Sequence, residues 1–220
     1  VKQYDVQPDK IDVVHNGASN SFKPASSEEI TSTRKKYTAG SPYFLFIGAL
    51  HPRKNLTNLF KAFDAFKKST NHPHKLLIAG NKKWWTSEIK NTYESSAYKN
   101  DIIFAGRVEM DELVAIMGSA EALTYVSYFE GFGIPILEAF QCGTPVITSN
   151  VTSMPEVAGD AAILTDPFSP DSIADAMKKI AGNPSLKKSL ANKGKERASL
   201  FSWDKTAEKF WESIEKTYNS

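Results

Sequence analysis

A chain of 220 residues with 41% hydrophobic residues is long enough for one large domain or two small ones with a sizeable core. Its 27 basic and 25 acidic side chains leave a net charge of +2, which argues against nucleic acid or a bulk anionic membrane as partner. Cys142 is the single cysteine, which excludes an intrachain disulfide and a cysteine-built metal cluster; its apolar surroundings predict a buried thiol rather than a nucleophile.

In chain order, residues 11–14 read as a short strand closed by the turn signal Asn16-Gly17. Residues 43–50 are a second strand-like run, ending at Gly48-Ala49. Apolar residues at 56, 59, 60, 63 and 66 recur at helical spacing, with Asn55 before them as a candidate cap. Residues 76–79 form a strand closed by Gly80. Residues 86–97 read as a helix with a weak apolar face, and 102–105 as a strand closed by Gly106. A short helix over 111–117 places Leu113, Ile116 and Met117 on one side. A strand at 122–126, a helix over about 134–141 and a strand at 145–148 follow. The tail is helical over 171–180, 185–200 and 202–218. Ser202 is a candidate N-cap of the last helix, where Trp203, Ala207, Phe210, Trp211 and Ile214 recur at helical spacing.

This is repeated β–α alternation with near-continuous apolar strands, the pattern of a parallel sheet buried on both faces. The expected fold class is α/β: a single doubly wound parallel sheet with helices on both faces and a helical C-terminal tail, spanning residues 1–220. The lysine pairs 35–36, 67–68, 178–179 and 187–188 read as solvated helix edges. The four histidines, His15, His51, His72 and His74, lack metal-ligand spacing, and His72 and His74 fall in a polar loop. The absence of a membrane-length apolar run and of a signal peptide fits a reducing, cytoplasmic setting. A start at Val1 rather than Met reads as a fragment or processed product.

Ligands of doubly wound sheets bind at the carboxyl ends of the strands. Three segments lie there: residues 48–55, Gly106-Arg107-Val108, and 127–138. In the third, Glu130-Gly-Phe-Gly-Ile-Pro-Ile-Leu-Glu138 puts two carboxylates eight positions apart around a Gly-X-Gly. A glycine-rich strand-to-helix turn exposes backbone N–H groups at a helix N-terminus, and carboxylates accept hydrogen bonds from vicinal hydroxyls. Together these suit a nucleotide sugar; alternatively this is a tight turn with both glutamates solvated. Arg53 and Lys54, in His51-Pro-Arg-Lys-Asn55, suit a diphosphate, Arg gripping oxygens bidentately and Lys acting as a mobile charge, or else form a solvated basic loop. Trp84-Trp85 can stack on a ring or pack against the core, and packing is the preferred reading.

The chain resembles the C-terminal half of a GT-B fold, retaining glycosyltransferase of the family-4, or group 1, type, with a Rossmann-like sheet. The landmarks are Ile11-Asp-Val-Val-His-Asn-Gly17, Phe46-Ile-Gly-Ala-Leu-His-Pro-Arg-Lys-Asn55, Ile103-Phe-Ala-Gly-Arg-Val108, the Glu130-to-Glu138 segment, Gly143-Thr-Pro-Val146, Pro155-Glu-Val-Ala-Gly159, Asp166-Pro167 and Phe201-Ser-Trp203. The resemblance implies that Glu138 accepts hydrogen bonds from the ribose hydroxyls and that Glu130 faces the donor sugar as the catalytic carboxylate. It implies that the N–H groups of Gly131, Phe132, Gly133 and Ile134 hold sugar hydroxyls or the diphosphate. Arg53 and Lys54 match the pair that neutralises the diphosphate, which removes the need for a metal, and Val108 matches a position whose backbone reads the base. Ala49 departs from members that carry Arg there, leaving more of the charge to Arg53 and Lys54.

The implied donor is a nucleotide diphosphate sugar, linked through UDP, GDP or ADP, with no other cofactor. The implied acceptor is a glycan or a lipid-linked chain, of the kind used in polysaccharide biosynthesis and bound by an N-terminal domain absent here. The last helix, residues 202–218, resembles the segment that crosses back to that domain. The fragment is expected to bind nucleotide without transferring sugar, and the full-length enzyme to associate peripherally with the inner face of the membrane. The alternative is a non-catalytic nucleotide-sugar-binding or interaction module. An epimerase or phosphorylase of the same fold fits the glutamate pair less well, and no Gly-X-Gly-X-X-Gly supports a dehydrogenase.

Overall fold

The computed structural model describes residues 6–218; positions 1–5 and 219–220 of the expected 1–220 span lie outside them. Among the described residues, six parallel strands form one sheet: β1 (Tyr43–Ile47), β2 (Lys75–Ala79), β3 (Ile102–Gly106), β4 (Ala122–Tyr125), β5 (Val146–Ser149) and β6 (Ala162–Thr165). Their spatial order is β3-β2-β1-β4-β5-β6. The chain winds outward from β1 to β3, then returns to place β4 against the other side of β1, pairing Phe44 with Ala122 and Leu45 with Leu123. The order therefore reverses between β1 and β4, the place where a crevice opens at the carboxyl edge of such a sheet.

The helices are α1 (Ser27–Thr38), α2 (Leu56–Ser69), α3 (Ser87–Ser95), α4 (Met110–Gly118), α5 (Ile134–Gln141), α6 (Met154–Ala158), α7 (Pro170–Gly182), α8 (Pro184–Ala198) and α9 (Trp203–Tyr218). Every residue of β1 is buried, because alternate side chains serve opposite faces. Phe44 and Phe46 join Leu59, Phe63 and Phe66 of α2 and Ile173 and Met177 of α7. Tyr43, Leu45 and Ile47 join Ile116 and Met117 of α4, Leu137 and Phe140 of α5, and Val157 of α6. α8 bridges the layers, giving Leu190 to the first core and Ala198 to the second.

The expected alternation from residue 43 to 148 is present, with element ends moved by a few residues. The strand expected at 11–14 does not form. That segment spends its polar groups on α9: Asp12 accepts from Ser213 and Lys216, and the His15 carbonyl accepts from Thr206 at 2.6 Å. With α9 as partner, Val13 stays 62% exposed instead of entering the sheet. α1, α6 and β6 carry too little apolar periodicity to be read. α1 buries only Thr33 and Thr38, and it is set by a capping box in which Ser26 Oγ accepts from Glu29 N–H and Glu29 Oε2 accepts from Ser26 N–H. Ser202 does cap α9, its Oγ accepting from Lys205 N–H.

Lys67 and Lys187 leave the expected set of solvated lysines, because enclosed carboxylates need them: Lys67 pairs with the half-buried Asp101 at 2.8 Å and Lys187 with the buried Glu121. His74 is not in a solvated loop either. It is 4% exposed, stacked on Phe44 and edge-on to Phe66. Cys142 is buried as expected, and burial pushes its thiol up to about 12, which makes it a poor nucleophile. α9 has a long apolar face, yet none of its residues is buried; Phe210, Trp211 and Ile214 are exposed.

Candidate functional site

Two loops rise from the carboxyl edge at the β1/β4 switch. After β1, Gly48 to His51 lead into a 3-10 turn, Pro52–Lys54, whose proline fixes the first dihedral. After β4, residues 126–133 run to the N-terminus of α5. The loops are tied together where the Tyr128 N–H donates to the Arg53 carbonyl at 2.8 Å. Asn55 does not cap α2 with its side chain. It occupies the cap position in a left-handed conformation (φ 60°), and its Nδ2 donates to the Val126 and Pro167 carbonyls. The tertiary demand for a link between three strand-end loops outcompetes the local cap.

Arg53, Lys54 and Glu130 meet. Glu130 is 7% exposed; its Oε1 accepts from Lys54 Nζ at 2.7 Å and its Oε2 from Arg53 Nη1 at 2.8 Å. Lys54 Nζ also donates to the Tyr125 hydroxyl at 2.6 Å and sits 4.6 Å from the centroid of that ring. Burial raises the pKa of Glu130, but its polar neighbours, Lys54 foremost, then Ser127 and Arg53, outweigh it and the net shift is downward. Burial pushes Lys54 down from its ordinary value against the pull of Glu130. We read the pair as ionised, because two charge-assisted bonds converge on the carboxylate. Lys54 is therefore not the mobile charge the sequence suggested: it is 8% exposed.

The Gly-X-Gly segment is held from behind. Ser153 Oγ lies 2.9 Å from the carbonyls of both Glu130 and Phe132, and the Glu130 N–H reaches Thr152 Oγ1 at 3.4 Å. Gly133 has φ 108°, a conformation side chains rarely adopt, and this turns the chain into α5. The first-turn N–H groups of α5, like those of any helix, lack an i−4 carbonyl. Gly131 is exposed, Phe132 and Ile134 half-buried and Gly133 buried. Phe132 faces His15 and Phe201, with ring centroids 6.1 and 5.9 Å away.

Glu138 lies one turn further along α5, half-buried, and its carboxylate accepts no hydrogen bond from the described residues. Burial alone pushes it up to about 7. The two glutamates thus sit in opposite settings, Glu130 saturated with cations and Glu138 without a partner. Burial first, then the fields of Glu130 and Glu138, raise the Tyr125 phenol well above the ordinary range. Val108 follows β3, half-buried against the core that includes α4 and α5. Trp85 packs against Phe60, Tyr93 and Phe104, as preferred, whereas Trp84 is 55% exposed and meets His51 edge-on.

Tyr125, Thr152 and Ser153 carry no signal in the sequence that singles them out for the site. Tyr125 reads as one more strand aromatic, and its role emerges only when residue 54 is folded onto it. Among the described residues, no group of three His, Cys, Asp or Glu side chains is placed to hold a metal ion. No helix among them is long and apolar enough to cross a membrane.

Comparison with known proteins adds to this geometry. A family model described as "Glycosyl transferases group 1" matches residues 29–197. O-antigen chain mannosyltransferase B of Escherichia coli is 32% identical over 205 residues, covering 93% of this chain and 54% of that protein. O-antigen chain mannosyltransferase RfbU of Salmonella typhimurium is 30% identical over 183 residues, covering 83% of this chain and 48% of that protein. The chain thus spans about half the length of these relatives. Among solved structures, a glycosyltransferase from Rickettsia africae superposes with a TM-score of 0.86 at 20% identity, over 99% of this chain and 60% of that one. The C-terminal domain of a group 1 family protein from Francisella tularensis gives 0.70 at 21% identity, over 83% of this chain and 96% of that one. Anabaena HepE, solved with UDP and glucose, gives 0.85 at 18% identity, over 97% of this chain and 59% of that one.

Proposed function

Because the chain belongs to the group 1 glycosyltransferase family, we propose that it is the donor-binding half of a metal-independent, retaining member that takes a nucleotide diphosphate sugar. The observation that carries this reading is the contrast between Glu130, which Arg53 and Lys54 both hold, and Glu138, whose carboxylate has no partner among the described residues, on the segments that follow β1 and β4 where the strand order reverses. A partnerless half-buried carboxylate such as Glu138 suits vicinal ribose hydroxyls, which supply the donors it lacks. Val108 offers its backbone to the base. The N–H groups of Gly131, Phe132, Gly133 and Ile134 suit sugar hydroxyls or phosphate oxygens.

Transfer breaks the bond between the anomeric carbon and the diphosphate oxygen. Negative charge grows on the departing diphosphate and positive charge on the sugar. A cation-bearing loop beside a carboxylate complements both. Arg53 and Lys54 make the cationic end and Glu130 the anionic one. Cations from the protein take the part a divalent metal plays at other diphosphate sites. The mannosyltransferase names of the relatives support mannose as the sugar and a growing polysaccharide or lipid-linked glycan as acceptor. In this reading the acceptor is bound by a part of the enzyme that residues 1–220 do not include, so they bind nucleotide without transferring sugar. The whole enzyme works in the cytoplasm against the inner face of the membrane.

The test is thermal unfolding of the chain with UDP, GDP, ADP and dTDP and their sugars, in EDTA. Ligand at about 100 times its Kd adds roughly 2.7 kcal/mol, which at roughly 2–4 °C per kcal/mol is several degrees. We expect a shift with one base, unchanged by EDTA and lost in Glu138→Ala. A cooperative melt that no nucleotide moves would overturn the reading.

A further inference from the structure

The segment from β4 to α5 is held by a row of hydroxyls that fall on its carbonyl groups. Thr148 Oγ1 donates to the Tyr125 carbonyl at 2.8 Å and Ser149 Oγ to the Ser127 carbonyl at 2.6 Å. Ser153 Oγ then reaches the Glu130 and Phe132 carbonyls, each at 2.9 Å. Ser153 stands at the N-cap of α6, where a serine ordinarily accepts from the helix's own N–H groups. Here its side chain makes no such bond. Beside it, Thr152 has φ 57°, in the left-handed region that a β-branched residue rarely enters. Its Oγ1 accepts from the Glu130 N–H at 3.4 Å. Local preference is overruled at two consecutive residues, and both serve the same loop.

We propose that Ser153 and Thr152 are positioning residues of the donor site, which aim the N–H groups of Gly131 and Gly133 at oxygens of the sugar and of the phosphate that carries it. This rests on the proposed nucleotide-sugar site, and it singles out two N–H groups from the four that the family resemblance assigns together. The loop's peptides are trans, and in a planar trans peptide the carbonyl and the following N–H point in opposite directions. The Glu130 carbonyl shares its peptide with the Gly131 N–H, and the Phe132 carbonyl shares its peptide with the Gly133 N–H. By holding both carbonyls, one hydroxyl turns both N–H groups away from itself. Neither donates to a described residue. Packing does not supply the same restraint at Gly131, since nothing lies within 4 Å of where its Cβ would stand. Glycine peptides left unrestrained sample many orientations, whereas donors fixed before the ligand arrives need no reorganisation. Thr152 fits the same account, because a backbone held in a sparsely populated region beside a site is strain that a function retains.

Backbone amide relaxation, measured by NMR on the chain without ligand, tests the restraint directly. Gly131 and Gly133 should have order parameters of about 0.85, and Ser153→Ala should drop both below about 0.6. Ser153→Thr keeps the hydroxyl and should restore them. Calorimetry then separates positioning from folding, with UMP, GMP and AMP set against UDP-glucose, GDP-mannose and ADP-glucose. For the nucleotide sugar that the chain binds, Ser153→Ala should weaken affinity about 10-fold. The matching monophosphate, which lacks both the sugar and its phosphate, should stay within about 2-fold. A general loosening of the fold would weaken both alike.

Should Ser153→Ala fail to fold, Thr152→Gly answers by two effects of opposite sign. Relief of the left-handed threonine should raise Tm by about 2–4 °C, while affinity for the nucleotide sugar falls about 3-fold as the loop loosens. Equal order parameters in the unaltered chain and Ser153→Ala, parallel losses of monophosphate and nucleotide sugar, or a Thr152→Gly chain that gains stability and keeps its sugar affinity would overturn the proposal. The parent reading fails separately: nucleotides that do not bind, or that bind without regard to Glu138→Ala, overturn the donor site and this proposal with it.

Discussion

Glu121 and Glu130 are both buried carboxylates ringed by cations, at opposite ends of β4. Glu121 precedes the strand and takes Lys187 from α8, Arg34 from α1 at 3.6 Å, and His74 from ahead of β2 at 4.0 Å. Burial would raise its pKa, but His74 and Lys187 outweigh that and hold it at about 2. Its partners come from three separate elements, and the cluster joins both helical layers to the amino edge of the sheet. Glu130 follows the strand, and its cations are sequence neighbours on one loop, one of them facing solvent. Similar ions make a rivet where the partners are spread and enclosed, and a grip where they share one loop that opens to water.

The comparison breaks most easily at Glu121. Glu121→Ala should cost about 3–5 kcal/mol, the range for stranding partners of a buried ion pair, read by urea unfolding. The nucleotide affinity of the folded fraction should stay the same. A loss below about 1 kcal/mol would mean that the amino-edge cluster is no rivet. Next in size is Glu138→Ala, expected to lose about 1–3 kcal/mol of nucleoside diphosphate affinity by leaving the hydroxyls unmatched, measured by calorimetry at pH 8.

The two edges should also titrate in opposite senses. Glu138 is raised from 4.5 to about 7, so its contribution to stability is fully present below pH 4.5 and is lost as pH rises through 7. The loss is on the order of 2 kcal/mol, and Glu138→Gln should flatten that part of the profile. Nucleotide binding should strengthen over the same rise, since hydroxyl donors prefer the ionised carboxylate. Glu121 is depressed from 4.5 to about 2, so its contribution is present above pH 4.5 and is lost as pH falls through 2. Stability measured from pH 2 to 9 in Glu138→Gln and Glu121→Gln separates the two; a single common profile would contradict the assignment. The smallest effect belongs to the exposed pair of His15 and Glu156, 2.8 Å apart. Glu156→Gln should shift stability by less than about 0.5 kcal/mol, and a larger change would give that edge a structural charge of its own.

The parts of the site that local chemistry writes were legible in the sequence. The spacing of Glu130 and Glu138, the glycines between them and the basic turn at Arg53-Lys54 all lie within short segments whose residue types announce a strand-end loop. What was hidden depends on distant segments. Tyr125 looks like any core aromatic until Lys54 reaches it, and Asn55 looks like a cap until the Val126 and Pro167 carbonyls claim its amide. Strand propensity at 11–14 was real, but pairing is a property of neighbours, and α9 supplied them. α1 escaped because its apolar face is thin, though Ser26 and Glu29 spell its start.

The seam between β1 and β2 carries one more lesson. A methyl group at Gly80 would fall 1.9 Å from the Gly48 carbonyl oxygen, so the two strand ends touch backbone to backbone. Ordinary carbon contacts need about 3.5 Å, so Gly80→Ala must lift the Gly48 peptide and with it the turn that carries Arg53 and Lys54. Residue 80 is then a set-screw for a site it never touches. Tuning of donor affinity in this scaffold can arise from the spacing of neighbouring strands, with every side chain at the site left as it is.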